Sequence, residues 1–395
     1  MSTIMNMRTT TPVNTFIGPG ASRMVGKLCE NMGLHTAFVV CDAGVKAAGL
    51  VDGVLENLKE SKITTYLFDR VAADVPDTLI DEAADACKEF DAQVVVAIGG
   101  GSTLDSAKTI AMLQSNPGKI AEYCLDRQRP REKGLKLILI PTTAGTGSEI
   151  TRGCVVAVSS TGSKIGMAGP EFLADYALID PLLTVCLPPK QTSATAMDAF
   201  SHCVESMLTA KSNSMCDLLS LEGIRLICQN LGKVMENGQD VEARQNMMYA
   251  AYLAGISLGD GGCSFGHGIA HVLGGRYHLP HGVLCAIALP LTVEYYAQLF
   301  PEKIRKIAEA MELTVPAEAD EVQAAAVVAD AIRSMNKQCG IPALSELGID
   351  YNALPELARL ITEENCIAVV RMSNPEHTVT DQDYLIPLQR EYKRG

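Results

Sequence analysis

The chain has 395 residues, 47% of them hydrophobic, with 33 glycines. That is enough for two buried cores in a turn-rich α/β arrangement. A formal net charge of −13, with no Lys/Arg block to offset it, argues against nucleic acid or an anionic membrane as a partner. No run reaches the ~18 uninterrupted apolar residues of a membrane helix. The polar, Thr-rich start, Met1 to Asn14, lacks the basic end and apolar core of a signal peptide, so a cytoplasmic protein is expected. The 13 cysteines are then expected as reduced thiols, mostly small buried hydrophobes. Without a Cys-x-x-Cys pair, a structural zinc ribbon is not expected.

In chain order, 36–42, 63–68, 92–99 and 135–141 are near-continuous apolar runs. This is the pattern of parallel strands covered on both faces. Between them, 50–61 and 77–90 have helical spacing. The alternation predicts a doubly wound α/β domain with a parallel sheet. The β-branched stretch 151–159 predicts a ribbon, and 176–180 a late strand. After Pro188-Pro189 the chain becomes rich in Ala, Leu, Met and Glu at helical spacing, with no convincing strand. The expected boundary is therefore residue 187. An α/β dinucleotide-binding domain covers 1–187, an all-α helix bundle covers 188–395, and a cleft between them is the expected ligand site.

The motifs follow the same order. Asp42 ends the first of these strands, where a carboxylate can hydrogen-bond a ribose 2′-hydroxyl and repel a 2′-phosphate; a plain turn residue is the other reading. The run 94–97 feeds Gly99, Gly100, Gly101 and Ser102, a strand–glycine–helix junction that can cradle a phosphate on backbone N–H groups at a helix N-terminus. It also reads as a simple turn with Ser102 as N-cap and Asp105 in the capping-box position. A second loop, Pro141 to Glu149, carries Thr142, Thr143 and Thr146 after another apolar strand and can line the same crevice.

Asp198 and His202 are four apart in a predicted helix over 193–209, on one face with Cβ atoms about 5–6 Å apart. His267 and His271 form a second such pair in a short apolar segment expected to end at Gly274-Gly275. His281 stands in a Pro-His-Gly turn. Asp198, His202, His267 and His281 together offer one carboxylate and three imidazoles to a divalent cation, and Fe²⁺, Zn²⁺, Co²⁺ and Ni²⁺ all suit such a set. His271 is left over as a proton relay or a packing histidine. His278 is a candidate for the mouth of the pocket, and His35 and His377 are expected to be structural or at the surface.

These residues resemble the iron-containing (group III) alcohol dehydrogenases, which include lactaldehyde reductase and 1,3-propanediol dehydrogenase. The resemblance runs through 16–20, 99–108, 141–149, Asp180-Pro181, 197–199 with His202, 267–271 and 280–282. It implies a dehydroquinate synthase-like architecture with Fe²⁺ on Asp198, His202, His267 and His281. It places NAD, rather than NADP, near Gly99 to Ser102, Thr142, Thr143, Thr146 and Lys164, with Asp42 setting that preference. It puts His271 near nicotinamide and substrate, and makes a homodimer or higher homo-oligomer the expected assembly. The stretch 257–266 departs from the more helical Asn/Ala-containing segment usual there, Ala196 replaces a common glycine, and Val75 stands where many members carry Asn.

The expected reaction is hydride transfer between a small alcohol or aldehyde and nicotinamide, the metal polarising the substrate oxygen. Glycerol dehydrogenases and dehydroquinate synthases share the architecture but use three protein ligands. A maleylacetate-reductase-like or hydroxyacid–oxoacid transhydrogenase role is the nearer alternative, and a non-catalytic metal or nucleotide sensor the more distant one.

Overall fold

The computed structural model describes residues 13–71, 75–129, 131–364 and 366–395. Most of the N-terminal stretch considered for a signal peptide, residues 1–12, lies outside them. The chain forms two compact units. One runs to Leu187 and takes in Gln239–Met248; the other takes in Pro188–Gly238 and Tyr249–Gly395.

Up to Leu187 the described residues of the first unit form eight strands and six α-helices: β1 (Asn14–Ile17), α1 (Val25–Asn31), β2 (Thr36–Asp42), α2 (Ala43–Ala47), α3 (Asp52–Glu60), β3 (Thr64–Val71), α4 (Asp77–Glu89), β4 (Val94–Gly99), α5 (Gly101–Leu113), α6 (Ile120–Leu125), β5 (Lys136–Pro141), β6 (Gly153–Val158), β7 (Ser163–Ala168) and β8 (Tyr176–Ile179). Six strands form one parallel sheet in the order β1-β8-β5-β4-β2-β3, and β6-β7 is a separate antiparallel ribbon. The predicted parallel sheet is therefore present with β1 added to it, and β7 pairs with β6 in the ribbon.

Both faces of the sheet are covered, which explains the unbroken apolar runs. Val39, Cys41, Val94, Val96 and Ile98 pack with Leu28 of α1 and Leu58 of α3 in one apolar cluster. The intervening Phe38, Val40, Val95 and Ala97 are equally buried, on the side where α5 lies against β4, β5 and β2. The chain leaves β2 for β3 on one side and returns to β4 on the other. The strand order reverses there, and an open α/β sheet offers a crevice at such a point.

After Leu187 the described residues contain helices and no strand: α7 (Pro189–Met207), α8 (Ser214–Glu236), α9 (Val241–Gly261), α10 (Phe265–Tyr277), α11 (His281–Tyr295), α12 (Pro301–Ala310), α13 (Glu321–Gln338), α14 (Leu354–Glu363), α15 (Ile367–Ser373) and α16 (Asp381–Tyr392). The start of α9 belongs to the first unit, where the Gln239 side chain donates to Val185 O (2.8 Å) and Arg244 to Leu187 O (3.3 Å). In the second unit α11 is the central element, packed on α7, α10 and α13, and its residues Leu284 to Val293 are buried throughout. No helix among the described residues is long and apolar enough to cross a membrane.

Candidate metal centre and nucleotide loops

Three of the predicted nucleotide positions lie at the C-terminal ends of neighbouring strands. Asp42 ends β2, Gly99 ends β4, and Thr142 follows Pro141 at the end of β5. The two loops are joined directly, since Thr142 N–H donates to Gly99 O (3.0 Å). Gly101 faces Thr146 so closely that a Cβ there would sit 2.7 Å from Thr146 Cγ2, and one on Gly100 would sit 3.6 Å from Thr143 Cγ2. The sequence thus brings Gly99 to Ser102 together with Thr142, Thr143 and Thr146. Lys164 stands elsewhere, exposed on β7 opposite Ala157.

The capping expectation for this helix needs correction. The N-cap of α5 is Gly100, extended at φ −80° and ψ −175°, and no side chain caps the helix. Ser102 lies inside the first turn, and Asp105 turns away to other work. Its carboxylate accepts from Ser148 Oγ (2.6 Å) and Val155 N–H (3.0 Å). The buried Lys108 ammonium donates to Ser148 Oγ (2.8 Å) and Gly153 O (2.7 Å). Asp105 and Lys108 therefore tie α5 to the loop after β5 and to the ribbon. Their i,i+3 spacing on one helix face was the available signal. With its first-turn N–H groups uncapped by side chains, α5 keeps donors for an anion.

Asp42 carries the plainer of its two readings as well. Its Oδ1 accepts from Val45 N–H (2.9 Å) as the N-cap of α2, and its Oδ2 from Thr103 Oγ1 (3.3 Å). A carboxylate has about four acceptor sites, so capacity for a further donor remains.

The four candidate metal residues come from three helices. Asp198 and His202 are one turn apart on α7. His267 is on α10, and His281 is the first residue of α11, with Pro280 as its N-cap. Two expectations change here. The segment around His267 is a helix that continues through Gly274-Gly275 to Tyr277, and His281 opens a helix rather than occupying a turn. Gly282 lets α11 approach α7, because a Cβ there would fall 2.1 Å from Ala194 O.

The quartet converges on one atom. The Nε2 atoms of His202, His281 and His267 lie 3.6, 3.6 and 4.0 Å from Asp198 Oδ1. That oxygen is buried and accepts no hydrogen bond among the described residues. Donor atoms bonded to a cation at about 2.1 Å lie roughly 3–3.5 Å apart, so a small contraction of this set would close it around an ion. The residues present fit a divalent cation with nitrogen and oxygen preference. Burial opposes ionisation of Asp198, but the imidazoles of His202, His281 and His267 outweigh it and hold the carboxyl below its usual range. Asp198, His202 and His267 are buried, whereas the His281 side chain is 42% exposed and His271 is exposed. The site therefore opens on the side of these two rings, which stack at 5.6 Å between centroids.

Two residues at the site were missed from sequence. Glu205, fully buried on α7, takes His267 Nδ1 at 2.8 Å and Ser264 N–H at 2.6 Å. Burial raises its pKa, but His267 and these N–H groups prevail and keep it below the normal carboxylate value. An ionised Glu205 holds a proton on His267 Nδ1, so Nε2 is the nitrogen that a cation would take. Cys285, one turn after His281 on α11, puts Sγ 3.4 Å from His281 Nε2 and 3.8 Å from His267 Nε2. The donor atoms of Asp198, His267, His281 and Cys285 lie within 4.8 Å of one another. Burial pushes the Cys285 thiol up to about 12, so near neutrality and without a cation it lines the site as a neutral group. Helical spacing held both signals: Asp198, His202 and Glu205 fall at i, i+4 and i+7, and His281 and Cys285 at i and i+4.

His271 lies next to the quartet, with its ring edge-on to His267 at 6.0 Å, and its Nδ1 is 3.8 Å from Cys366 Sγ. His278 ends α10 in a left-handed conformation (φ 52°). His35 is exposed, and His377 pairs with Asp383 near the start of α16 (2.8 Å).

Comparison with known proteins covers both units. The family described as "Iron-containing alcohol dehydrogenase" matches residues 12–181, and "Fe-containing alcohol dehydrogenase family, C-terminal" matches residues 192–382. The chain is 32% identical to the NAD-dependent methanol dehydrogenase of Bacillus methanolicus over 94% of its own length and 96% of that protein. It is also 32% identical to the 1,3-propanediol dehydrogenase of Klebsiella pneumoniae, covering 92% of this chain and 95% of the relative. Among solved structures, a 1,3-propanediol oxidoreductase superposes with a TM-score of 0.91 at 30% identity, covering 98% of this chain and 100% of that one.

Proposed function

This chain belongs to the iron-containing alcohol dehydrogenase family and is an oxidoreductase acting on alcohols; from that premise we propose a metal-dependent, NAD(H)-linked alcohol dehydrogenase or aldehyde reductase for small substrates. Asp198, His202, His267 and His281 are the proposed holders of Fe²⁺, a donor set that also accommodates Zn²⁺. Dinucleotide binding is assigned to residues 1–187 and metal binding to 188–395. The observation that carries the reading is the buried Asp198 Oδ1, which accepts no hydrogen bond among the described residues while three imidazole Nε2 atoms face it.

The chain's own residues divide the work. Backbone N–H groups of Gly101 and Ser102, at the uncapped start of α5, suit a pyrophosphate. Thr142, Thr143 and Thr146 offer hydroxyls from the adjoining loop. Asp42 favours a ribose 2′-hydroxyl over a 2′-phosphate, hence NAD over NADP. Glu205 fixes the proton on His267 Nδ1. His271, exposed beside His281, gives or takes the substrate proton at a ring nitrogen. A divalent cation bound at the quartet supplies Lewis acidity toward an alcohol or carbonyl oxygen, and nicotinamide supplies the hydride acceptor or donor. The same reading places the protein in the cytoplasm as a homodimer or higher homo-oligomer.

Protein purified without air should contain divalent metal and oxidise NADH with short-chain aldehydes faster than NADPH. After chelation, activity should return with Fe²⁺. A metal-loaded preparation that oxidises neither cofactor across a panel of aldehydes would overturn the proposal.

A further inference from the structure

A fifth donor points into the space that the quartet surrounds. Cys285 lies on α11 one turn after His281, and its Sγ is 3.4 Å from His281 Nε2 and 3.8 Å from His267 Nε2. Rigid surroundings fix its place. Its chain neighbours Leu284 and Ala286 are buried, Asn336 of α13 donates to Ala286 O (2.7 Å), and Gly282 lets the start of α11 approach α7. Burial alone says little about a cysteine, since Cys29 and Cys41 are equally buried within the apolar cluster on one face of the sheet. What differs at Cys285 is what its sulfur faces. The donor atoms of Asp198, His267, His281 and Cys285 all lie within 4.8 Å of one another.

Hydrogen bonding does not account for this grouping. Asp198 Oδ1 is buried and accepts no hydrogen bond among the described residues. With its proton on Nδ1 toward Glu205, His267 presents Nε2 as a further acceptor. Cys285 brings one S–H, which serves only one acceptor at a time. The spacing suits a shared cation. A tetrahedral ion bonded to nitrogen at about 2.1 Å and to sulfur at about 2.3 Å holds those two atoms roughly 3.6 Å apart. The two sulfur–nitrogen separations, 3.4 and 3.8 Å, fall on either side of that value.

We propose that Cys285 is a ligand of the metal centre, so that Asp198, His267, His281 and Cys285 form a nitrogen, oxygen and sulfur set for thiophilic divalent cations, Zn²⁺ and Cd²⁺ foremost. The proposal deepens the metal reading of the quartet and rests on it. The two sets share three residues and differ in His202 against Cys285. Imidazole and carboxylate serve Fe²⁺ as well as Zn²⁺, whereas a thiolate favours the softer ion. Cys285 is therefore the side chain that tilts the preference of this centre away from iron. On binding, the metal–sulfur bond forms, the S–H bond breaks and the proton passes to the buffer, with no change in oxidation state. A coordinating thiol is deprotonated by the ion that it binds.

The test strips the full-length protein of metal with a chelator and adds Co²⁺ without air. An intense near-ultraviolet sulfur-to-cobalt charge-transfer band should grow as the ion binds, and Cys285→Ser should bind Co²⁺ without it. The same substitution should weaken Cd²⁺ binding by about 100-fold and Mn²⁺ binding by less than about 3-fold, read by competition with a chromophoric chelator. Where the serine variant fails to fold, anomalous diffraction from crystals of the Zn²⁺-loaded wild type decides, and should place the ion about 2.3 Å from Cys285 Sγ. Bound Co²⁺ without the band, a band that survives Cys285→Ser, or an ion more than roughly 3 Å from Sγ overturns the role of Cys285 and leaves the quartet standing as a metal site. A wild type that binds none of these cations overturns both.

Discussion

The helical site and the loops at the sheet edge each bury a carboxyl to the same degree, Asp198 and Glu149 both being 3% exposed, yet the two end in opposite states. At Asp198 three imidazoles outweigh burial and keep the group ionised at lower pH than usual. At Glu149, in the loop after β5, burial dominates and pushes the pKa up to about 7, with Lys108 opposing only in part. The difference follows what each region is built from. The helical site converges side chains from α7, α10 and α11 on a single carboxylate oxygen, an arrangement that calls for a cation. The sheet edge presents backbone N–H groups and hydroxyls, and a carboxyl kept neutral below about pH 7 adds no charge there to repel phosphate.

The most severe way to break this contrast is Asp198→Asn, which keeps the volume and removes the charge. Bound metal should be lost and kcat/KM should fall by on the order of 10³-fold, about 4 kcal/mol. Elemental analysis beside steady-state kinetics checks it. A variant that retained both its metal and its rate would show that the carboxylate is not what assembles the site.

On the loop side, the corresponding change is Glu149→Gln, and its effect is on stability. A Glu carboxyl ordinarily titrates at 4.5, and burial raises Glu149 to about 7 in the folded chain. Below the lower value both states hold the proton. Between the two, the unfolded chain has released a proton that the native state retains, so rising pH favours unfolding. Above the higher value the penalty is complete, at roughly 3 kcal/mol. Wild-type stability relative to Glu149→Gln should therefore decline from about pH 5 to about pH 8. Urea midpoints at both pH values measure it, and a constant difference would mean that Glu149 is ionised throughout.

Glu205→Gln sharpens the helical half of the comparison. The amide cannot hold the His267 Nδ1 proton as a carboxylate does, and metal affinity should drop about 10–100-fold. Competition with a chromophoric chelator reads this directly. An unchanged affinity would mean that packing alone orients the His267 ring.

The same contrast explains what could be read from sequence. The central strands were legible because β2, β4 and β5 are covered on both faces and leave unbroken apolar runs. β1 has four residues, none of them buried, and β7 carries Ser163, Lys164 and Gly166 with one buried residue; neither leaves such a run. Asp198 with His202 was visible because helical spacing is local. That Cys285 reaches His267 depends on how α10 and α11 pack, which no local pattern records. Glu205 was overlooked for another reason: a Glu near the end of a helix resembles a solvated one until the partner helix buries it. Ser102 was misread as a cap because its residue type suits one, while the backbone turn lies two residues earlier at Gly100.

Gly101→Ala carries the smallest expected effect and separates the two regions most cleanly. The added methyl would fall 2.7 Å from Thr146 Cγ2 and 3.1 Å from its Oγ1, so one loop must move away from the other. The Thr146 side chain can rotate in part, which keeps the cost near the low end of overpacking, about 1 kcal/mol. If the N–H groups of α5 hold the dinucleotide, that movement should raise the KM for NAD by about 5–10-fold. Metal content should stay at the wild-type level, because no quartet residue lies in either loop. Isothermal titration with NAD and elemental analysis of the same sample separate the two readouts. Weakened NAD binding with full metal assigns the loops to the nucleotide. Unchanged NAD affinity would remove Gly101 from the binding surface and leave its contact with Thr146 as loop packing alone.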